Sequence, residues 1–269
     1  MHPLAPCQVI GIFDPRASYE AALRENPDNL QNSSTGGRQK RGVATHSKFW
    51  ASHRTLKIAF INPPSHAHRN AVINAIKHWQ NSINLTLEFV DDATGDIRIT
   101  LEAPANYSAI GTDATLRQPH QNTMNVGTDL MHPQFEATVM HEFGHALGME
   151  HEHQHPHADI PWDKPKVYDV YLHNFNWSKE QVDHNFFRTL DAINTRTTPY
   201  DKLSIMHYKI PNEFTTGDWS VENNSTISQK DRRLMRKVYP RNKEDRATSP
   251  PPRISLAEIK FATFITGNT

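Results

Sequence analysis

Cysteine is almost missing from this chain: Cys7 is the single one in 269 residues. No disulfide can form within the chain, so packing and any bound metal must hold its fold. Net charge is absent too. The 29 Lys and Arg balance 29 Asp and Glu, so there is no bulk basic field of the kind that gathers nucleic acid. No apolar run approaches the length that crosses a bilayer, and mean hydropathy is −0.69. The reading is therefore no nucleic-acid partner and no membrane. A secretory leader is not legible either. Val9-Ile10-Gly11-Ile12-Phe13 is too short for its apolar core, and no basic region precedes it. Histidine, by contrast, is abundant. There are 17, and seven of them fall between His132 and His157.

Within that cluster runs His141-Glu142-Phe143-Gly144-His145-Ala146-Leu147-Gly148-Met149-Glu150-His151. The pattern H-E-x-x-H-x-x-G-x-x-H belongs to zinc hydrolases. On a helix, His141 and His145 sit one turn apart on one face and can grip one ion. Glu142 is offset by one position, near enough to reach a water on the metal without coordinating. Gly148 has no Cβ, so the chain can turn there and bring His151 back as a third ligand. Three imidazoles leave the fourth position of one Zn2+ open for water, which is the catalytic arrangement.

These eleven residues resemble the metzincin metalloproteases. Glu152, directly after the third histidine, is similar to the astacin branch, and so are Thr198-Pro199-Tyr200-Asp201 and the methionine-turn pattern Ser204-Ile205-Met206-His207-Tyr208. The resemblance spans roughly residues 48 to 240. It implies an α+β, two-lobed catalytic domain. The upper lobe would be a twisted sheet with two helices, and the lower lobe mostly irregular with a C-terminal helix. It further implies Met206 as an apolar floor under the imidazoles and Tyr208 as a zinc-reaching residue that bonds the tetrahedral intermediate. Glu152 would anchor a mature N-terminus. Protein or peptide substrates follow, and a secreted or extracellular setting is the family's usual one, although the chain lacks disulfides and a clear leader.

Residues 1 to about 45 read as polar and irregular. Asn32 to Gly37 resembles a flexible linker, and Arg38-Gln39-Lys40-Arg41-Gly42 is either a solvated charge run or a processing site. In the second case residues 1–41 are a pro-segment that the domain at 42–240 itself binds. The F-x-G-D motif of astacin pro-regions is not matched, since only Phe13-Asp14 is present. Cys7 is able in principle to cap a zinc ion, but its position near a terminus reads as incidental. Leu56, Ile58 and Phe60 alternate as a strand, residues 67–83 carry apolar side chains at helical spacing, and two more alternating runs follow at Leu85–Phe89 and Ile97–Leu101. Tyr107 to Gly111 resembles an astacin segment. Met124, Asn125 and Val126 read as a short edge strand that contacts substrate through its backbone. The active-site helix is expected over residues 133–148. Ser178 with Gln181 forms a capping box, Pro211 to Thr215 a surface loop, and Ser228 begins the last helix. Residues 241–269 read as a tail. His153, His155 and His157 are read as an extended stretch of non-ligands. Two other classes stay open: a zinc-holding but non-catalytic binding module, and another metzincin branch such as the serralysins, whose glycine-rich calcium repeats are not found here.

Overall fold

The computed structural model describes residues 7–11, 14–30, 46–62, 64–92, 94–190 and 199–241. The basic run at Arg38 to Gly42, the linker before it, Thr198 and the tail beyond 241 lie outside the described residues.

In chain order the elements are β1 (Gln8–Val9), α1 (Pro15–Glu25), β2 (Thr55–Phe60), α2 (His66–Lys77), β3 (Thr86–Val90), β4 (Ile97–Thr100), β5 (Tyr107–Ser108), β6 (Met124–Asn125), α3 (Phe135–Ala146), α4 (Lys164–Phe175), α5 (Lys179–Val182) and α6 (Gln229–Val238), joined by short 3-10 turns. The fold is α+β, with six strands ordered β1-β5-β6-β4-β2-β3. Strands β2, β3, β4 and β6 are mutually parallel, β5 runs antiparallel to β6, and β1 lies parallel to β5.

The alternating run at Leu56, Ile58 and Phe60 forms β2 and points all three side chains into the core. The helix expected to Ile83 ends earlier, at Lys77, but Trp79 and Ile83 remain buried because a 3-10 turn carries them down onto the same core. This upper core also holds the active-site helix. Trp79 donates its indole N–H to the carbonyl of Met140 at 3.0 Å. Trp50 and Tyr239 donate to the carbonyls of Ala146 and Leu147 at 2.8 and 2.7 Å. The last carbonyls of a helix have no intrahelical partner. Here two large buried side chains supply it, and that fixes where α3 stops.

Several expectations are refined. The first concerns residues 1 to 45, which are not irregular throughout. Asp14 caps α1 by accepting the Arg16 and Ala17 N–H groups, Pro15 opens it, and residues 8–9 join the sheet. The second is an addition: the lower lobe, mostly irregular with a C-terminal helix as expected, also contains α4, a twelve-residue helix. Asp163 caps its start, and Asn176 ends it with a left-handed backbone, φ 53°. Its apolar face was hidden because aromatic side chains dominate it. The third concerns β6, which is not the sheet edge. Met124 and Asn125 pair with β4 on one side and β5 on the other, and Val126 N–H donates to Thr100 O. Within Pro211 to Thr215, too, Phe214 is buried in a 3-10 turn rather than exposed on a loop. The expected capping box of Ser178 with Gln181 is formed, and a second, Ser228 with Asp231, opens α6. No helix among the described residues is long and apolar enough to cross a membrane.

Candidate metal and catalytic site

Helix α3 carries His141, Glu142 and His145, all buried. Gly148 follows with φ +101°, and a Cβ there would meet the Phe49 ring at 2.6 Å, so the turn that returns His151 requires glycine. The ring centroids of His141, His145 and His151 lie 4.4 to 5.3 Å apart, and Nε2 of His145 and Nε2 of His151 are 3.0 Å from each other.

Second partners orient two of the rings. His141 donates from Nδ1 to Ile205 O at 2.7 Å, and His145 from Nδ1 to Met149 O at 2.8 Å. This tautomer leaves each Nε2 lone pair free for a metal. Burial pushes His141 down to about 4 and holds His145 and His151 well below the usual histidine range. All three are neutral at pH 7, which is the ligating form. His141 Nε2 and both Glu142 carboxyl oxygens are buried without a hydrogen-bond partner. Orphaned polar atoms at such depth call for a missing partner, and one zinc ion fits the donor set. Burial also pushes Glu142 up to about 8. A bound dication acts in the opposite sense on a neighbouring carboxyl.

Met206 is fully buried beneath the helix, and a Cβ built on Gly144 would collide with its Sδ. The methionine therefore fits against α3 only because position 144 has no side chain. Asp231 holds the turn itself, accepting from Ser204 Oγ at 2.6 Å and Ile205 N–H at 2.9 Å. Tyr208 lies 4.3 Å from His151 between ring centroids and stacks on His153 at 4.2 Å. Its hydroxyl donates to the carbonyl of Cys7. Glu152 accepts the Asp201 N–H at 2.7 Å, and burial pushes its carboxyl up to about 8.

The additional histidines separate from the cluster. His153 and His155 are buried, and His153 donates from Nε2 to Asn185 O at 2.7 Å. Residues 152–154 form a 3-10 turn rather than an extended stretch. Among the described residues one group can hold a metal: His141, His145, His151 and Cys7. A cleft of about 190 Å³ opens beside it, lined by Glu142 and Tyr208, the polar residues Gln134, Thr138 and Asn224, and the aromatic wall of Tyr171 and Phe186.

The structure thus brings His141, Glu142, His145, His151, Gly148, Met206 and Tyr208 together. It leaves Met124, Asn125 and Val126 inside the sheet, with their backbone groups committed to neighbours. Asn106, directly before β5, lines the cleft, and the outer side of this segment receives Gln8 N–H on Asn106 O at 3.0 Å and Ile10 N–H on Ser108 O at 2.9 Å. Of the residues at the site, Tyr171 was missed and Cys7 was considered and set aside. Tyr171 sits on a helix that periodicity did not reveal. Cys7 was legible only through its rarity, since nothing in its flanks marks it.

The chain matches the model of the Astacin peptidase family over residues 42–244. It is 24% identical over 243 residues to zinc metalloproteinase dpy-31 of Caenorhabditis elegans, covering 83% of this chain and 36% of that protein. It is 24% identical over 253 residues to blastula protease 10 of Paracentrotus lividus, covering 90% and 37%. The chain spans about a third of the length of these curated relatives. Among solved structures, myroilysin is 40% identical with a TM-score of 0.69, covering 72% of this chain and 97% of that one. High choriolytic enzyme 1, a hatching enzyme zinc-protease from the medaka Oryzias latipes, is 17% identical with a TM-score of 0.52, a likeness of fold alone, over 71% and 94%.

Proposed function

The chain belongs to the astacin family of metalloproteases, and from that premise we propose that it is a zinc-dependent endopeptidase acting on proteins or peptides. The observation that carries the reading is the convergence of three neutral imidazoles beside an unpartnered, buried Glu142 at the wall of an open cleft.

His141, His145 and His151 would hold the ion. When bound, zinc supplies Lewis acidity and a water whose pKa is lowered towards about 7. The remaining steps belong to the chain. Glu142 takes a proton from the attacking water and delivers it to the leaving amine. Tyr208 donates its phenolic hydrogen to the carbonyl oxygen as that atom becomes negative. The outer edge of β5, through Asn106 O and Ser108 O, aligns the substrate backbone, a role first expected of Met124 to Val126. Tyr171 and Phe186 form the dry wall of the cleft. Residues 1–41 are proposed as a pro-segment, with Gly42 as the first residue after cleavage.

The test uses the full chain, before and after limited cleavage by a trypsin-like protease, on denatured casein with and without a chelator. Casein is expected to be cut and the chelator to stop it. Glu142→Gln is expected to keep one zinc per chain and lose about 10²- to 10⁴-fold in turnover. A fully active Glu142→Gln chain removes the general-base assignment. Zinc bound with no cleavage by any form of the chain favours the non-catalytic binding module.

A further inference from the structure

Tyr208 serves the proposed reaction only if its hydroxyl meets the oxygen on which negative charge develops, and a misplaced donor loses most of its value. Its ring packs against His151, His153 and Phe186. Those contacts limit the tilt of the ring, but its reach is set by the backbone of residue 208. Two side chains that the mechanism does not use hold that backbone. His207 Nδ1 lies 2.7 Å from Tyr208 O, and His207 Nε2 lies 2.7 Å from the Tyr200 hydroxyl. We propose that His207, braced by Tyr200, is a positioning residue that fixes the Tyr208 peptide and so delivers the phenol to the oxyanion; this rests on the zinc-peptidase reading above.

The hydrogens follow from the chemistry of the groups. A backbone carbonyl only accepts, so Nδ1 carries the ring hydrogen and donates to Tyr208 O. Burial pushes His207 down to about 4, so the ring is neutral at pH 7 and Nε2 keeps its lone pair. The Tyr200 hydroxyl donates to that lone pair. Burial, with the Glu152 and Asp201 carboxyls nearby, pushes this phenol above its usual range and keeps its proton on. Both ring nitrogens are therefore spent. His207 lines the cleft, yet it has no donor left for a substrate and no lone pair left for a proton from water. Its bonds run inward, which is the mark of positioning rather than of direct participation. The ring is 4% exposed, and at that depth water does not replace a lost bond.

The brace is itself anchored. The Tyr200 carbonyl accepts from Lys230 Nζ at 2.8 Å. Asp201, the next residue, donates its N–H to Glu152 and accepts the Ser228 hydroxyl, each at 2.7 Å. Ser228 caps α6 and Lys230 lies in its first turn, beside the Asp231 that holds Ser204 and Ile205. On the far side of Tyr208, Ile210 and Val221 exchange backbone bonds at 2.8 and 2.9 Å. Tyr208 thus lies between two fixed points, and the link through Tyr200 and His207 ties its peptide to the start of α6. Neither bond of the link involves a proposed metal ligand, so breaking it should move the phenol and spare the metal.

The test uses the full chain after limited cleavage by a trypsin-like protease, acting on a casein-derived peptide. Tyr200→Phe removes one hydroxyl and keeps the ring. Its kcat should fall about tenfold with zinc content and KM unchanged. The loss should stay below the roughly 10²-fold of removing the Tyr208 hydroxyl, since the pair acts through that one donor. Asparagine can place an amide N–H near the position of Nδ1, so His207→Asn should keep more activity than His207→Leu. The cycle with Tyr208→Phe decides between positioning and general support of the fold. Adding Tyr200→Phe to Tyr208→Phe should cost nothing further, whereas a general structural role costs the same factor in either background. A phosphinic peptide, whose tetrahedral group mimics the transition state, reads the same geometry without turnover, and its Kd should weaken about tenfold in Tyr200→Phe. If urea unfolding shows that Tyr200→Phe does not fold, His207→Asn takes its place in the cycle. Parent-like kcat in Tyr200→Phe, or a loss that multiplies with that of Tyr208→Phe, overturns the positioning and leaves the peptidase reading standing. A parent that holds zinc and cuts nothing overturns both.

Discussion

The upper core is built mostly from aliphatic side chains, with aromatic ones such as Trp50, Trp79, Phe143 and Tyr239 among them, around a sheet, whereas half of the lower core's buried side chains are aromatic, Tyr171, Trp177, Phe186, Tyr208 and Phe214, with little regular structure between them. The first lies under α3 and fixes His141 and His145, two of the proposed metal ligands, on a rigid element whose terminal carbonyls are held by Trp50 and Tyr239. The second places Tyr208 and the cleft wall. The division separates two tasks. Metal binding needs donors held within tenths of an ångström, which a buried helix provides. Substrate contact and transition-state bonding fall to the lower side, where the segment 204–210 sets Tyr208 against His151 and His153.

The largest effect should come from splitting these tasks at the site itself. His145→Ala removes a proposed ligand whose Nδ1 is held by Met149 O and whose Nε2 faces the His151 ring. Bound zinc should fall from one per chain to nearly none, and all cleavage with it. Tyr208→Phe touches only the lower side. It should keep the zinc and the KM while kcat falls about 10²-fold, the scale of one lost oxyanion donor. Zinc content by atomic absorption beside steady-state kinetics separates the two, and a Tyr208→Phe chain that loses its metal would erase the distinction.

Next in size are the cores. Trp79→Ala and Phe186→Ala each remove a large buried aromatic and should cost about 3–5 kcal/mol of stability by urea unfolding. Their second effects should differ. Trp79 bonds the Met140 carbonyl on the ligand helix, so its loss should weaken zinc affinity. Phe186 lies 5.5 Å from Tyr208 between ring centroids, so its loss should lower kcat and leave zinc affinity unchanged. Equal losses of zinc affinity in both would mean that the lobes do not act separately.

The same division decided what the sequence could disclose. The upper lobe was legible because β2, β3 and β4 alternate and α2 carries apolar side chains at helical spacing, and because the eleven-residue motif bears its own chemistry. The lower lobe was not. In α4 the inward residues Val167 and Tyr171 are accompanied by Tyr168, Val170 and Leu172 on other faces, which blurs the helical period, and the aromatic cluster forms from segments distant in sequence. Strand β6 was misplaced as the edge because pairing order is non-local: two residues of β5 and two of β1 lie outside it, and nothing in Met124 to Val126 records them. Cys7 was discounted for its position near a terminus, which says nothing about where the chain returns.

The smallest predicted effect is a pH dependence confined to the lower side. His153 stacks on Tyr208, donates to Asn185 O, and has a buried Nδ1 without a partner. Burial pushes it down to about 3, from 6.5 for the exposed group. Between those values the unfolded chain holds a proton on this ring and the folded chain does not. Stability contributed by neutral His153 is therefore intact above about pH 6.5 and is lost as the pH falls towards about 3. Glutamine at this position can keep the donor to Asn185 O but cannot titrate. In metal-free protein, where acid release of zinc does not enter, the urea midpoint of His153→Gln should fall less steeply from pH 6.5 downward than that of the parent, although it starts lower at pH 7 for want of the stacked ring. His145 and His151 are themselves held down in part by His153, so the difference in slope reads the loss of His153 together with the relief of these two neighbours. Parallel acid limbs would mean that the His153 pocket admits the charged ring, and that the lower core is wetter than its packing implies.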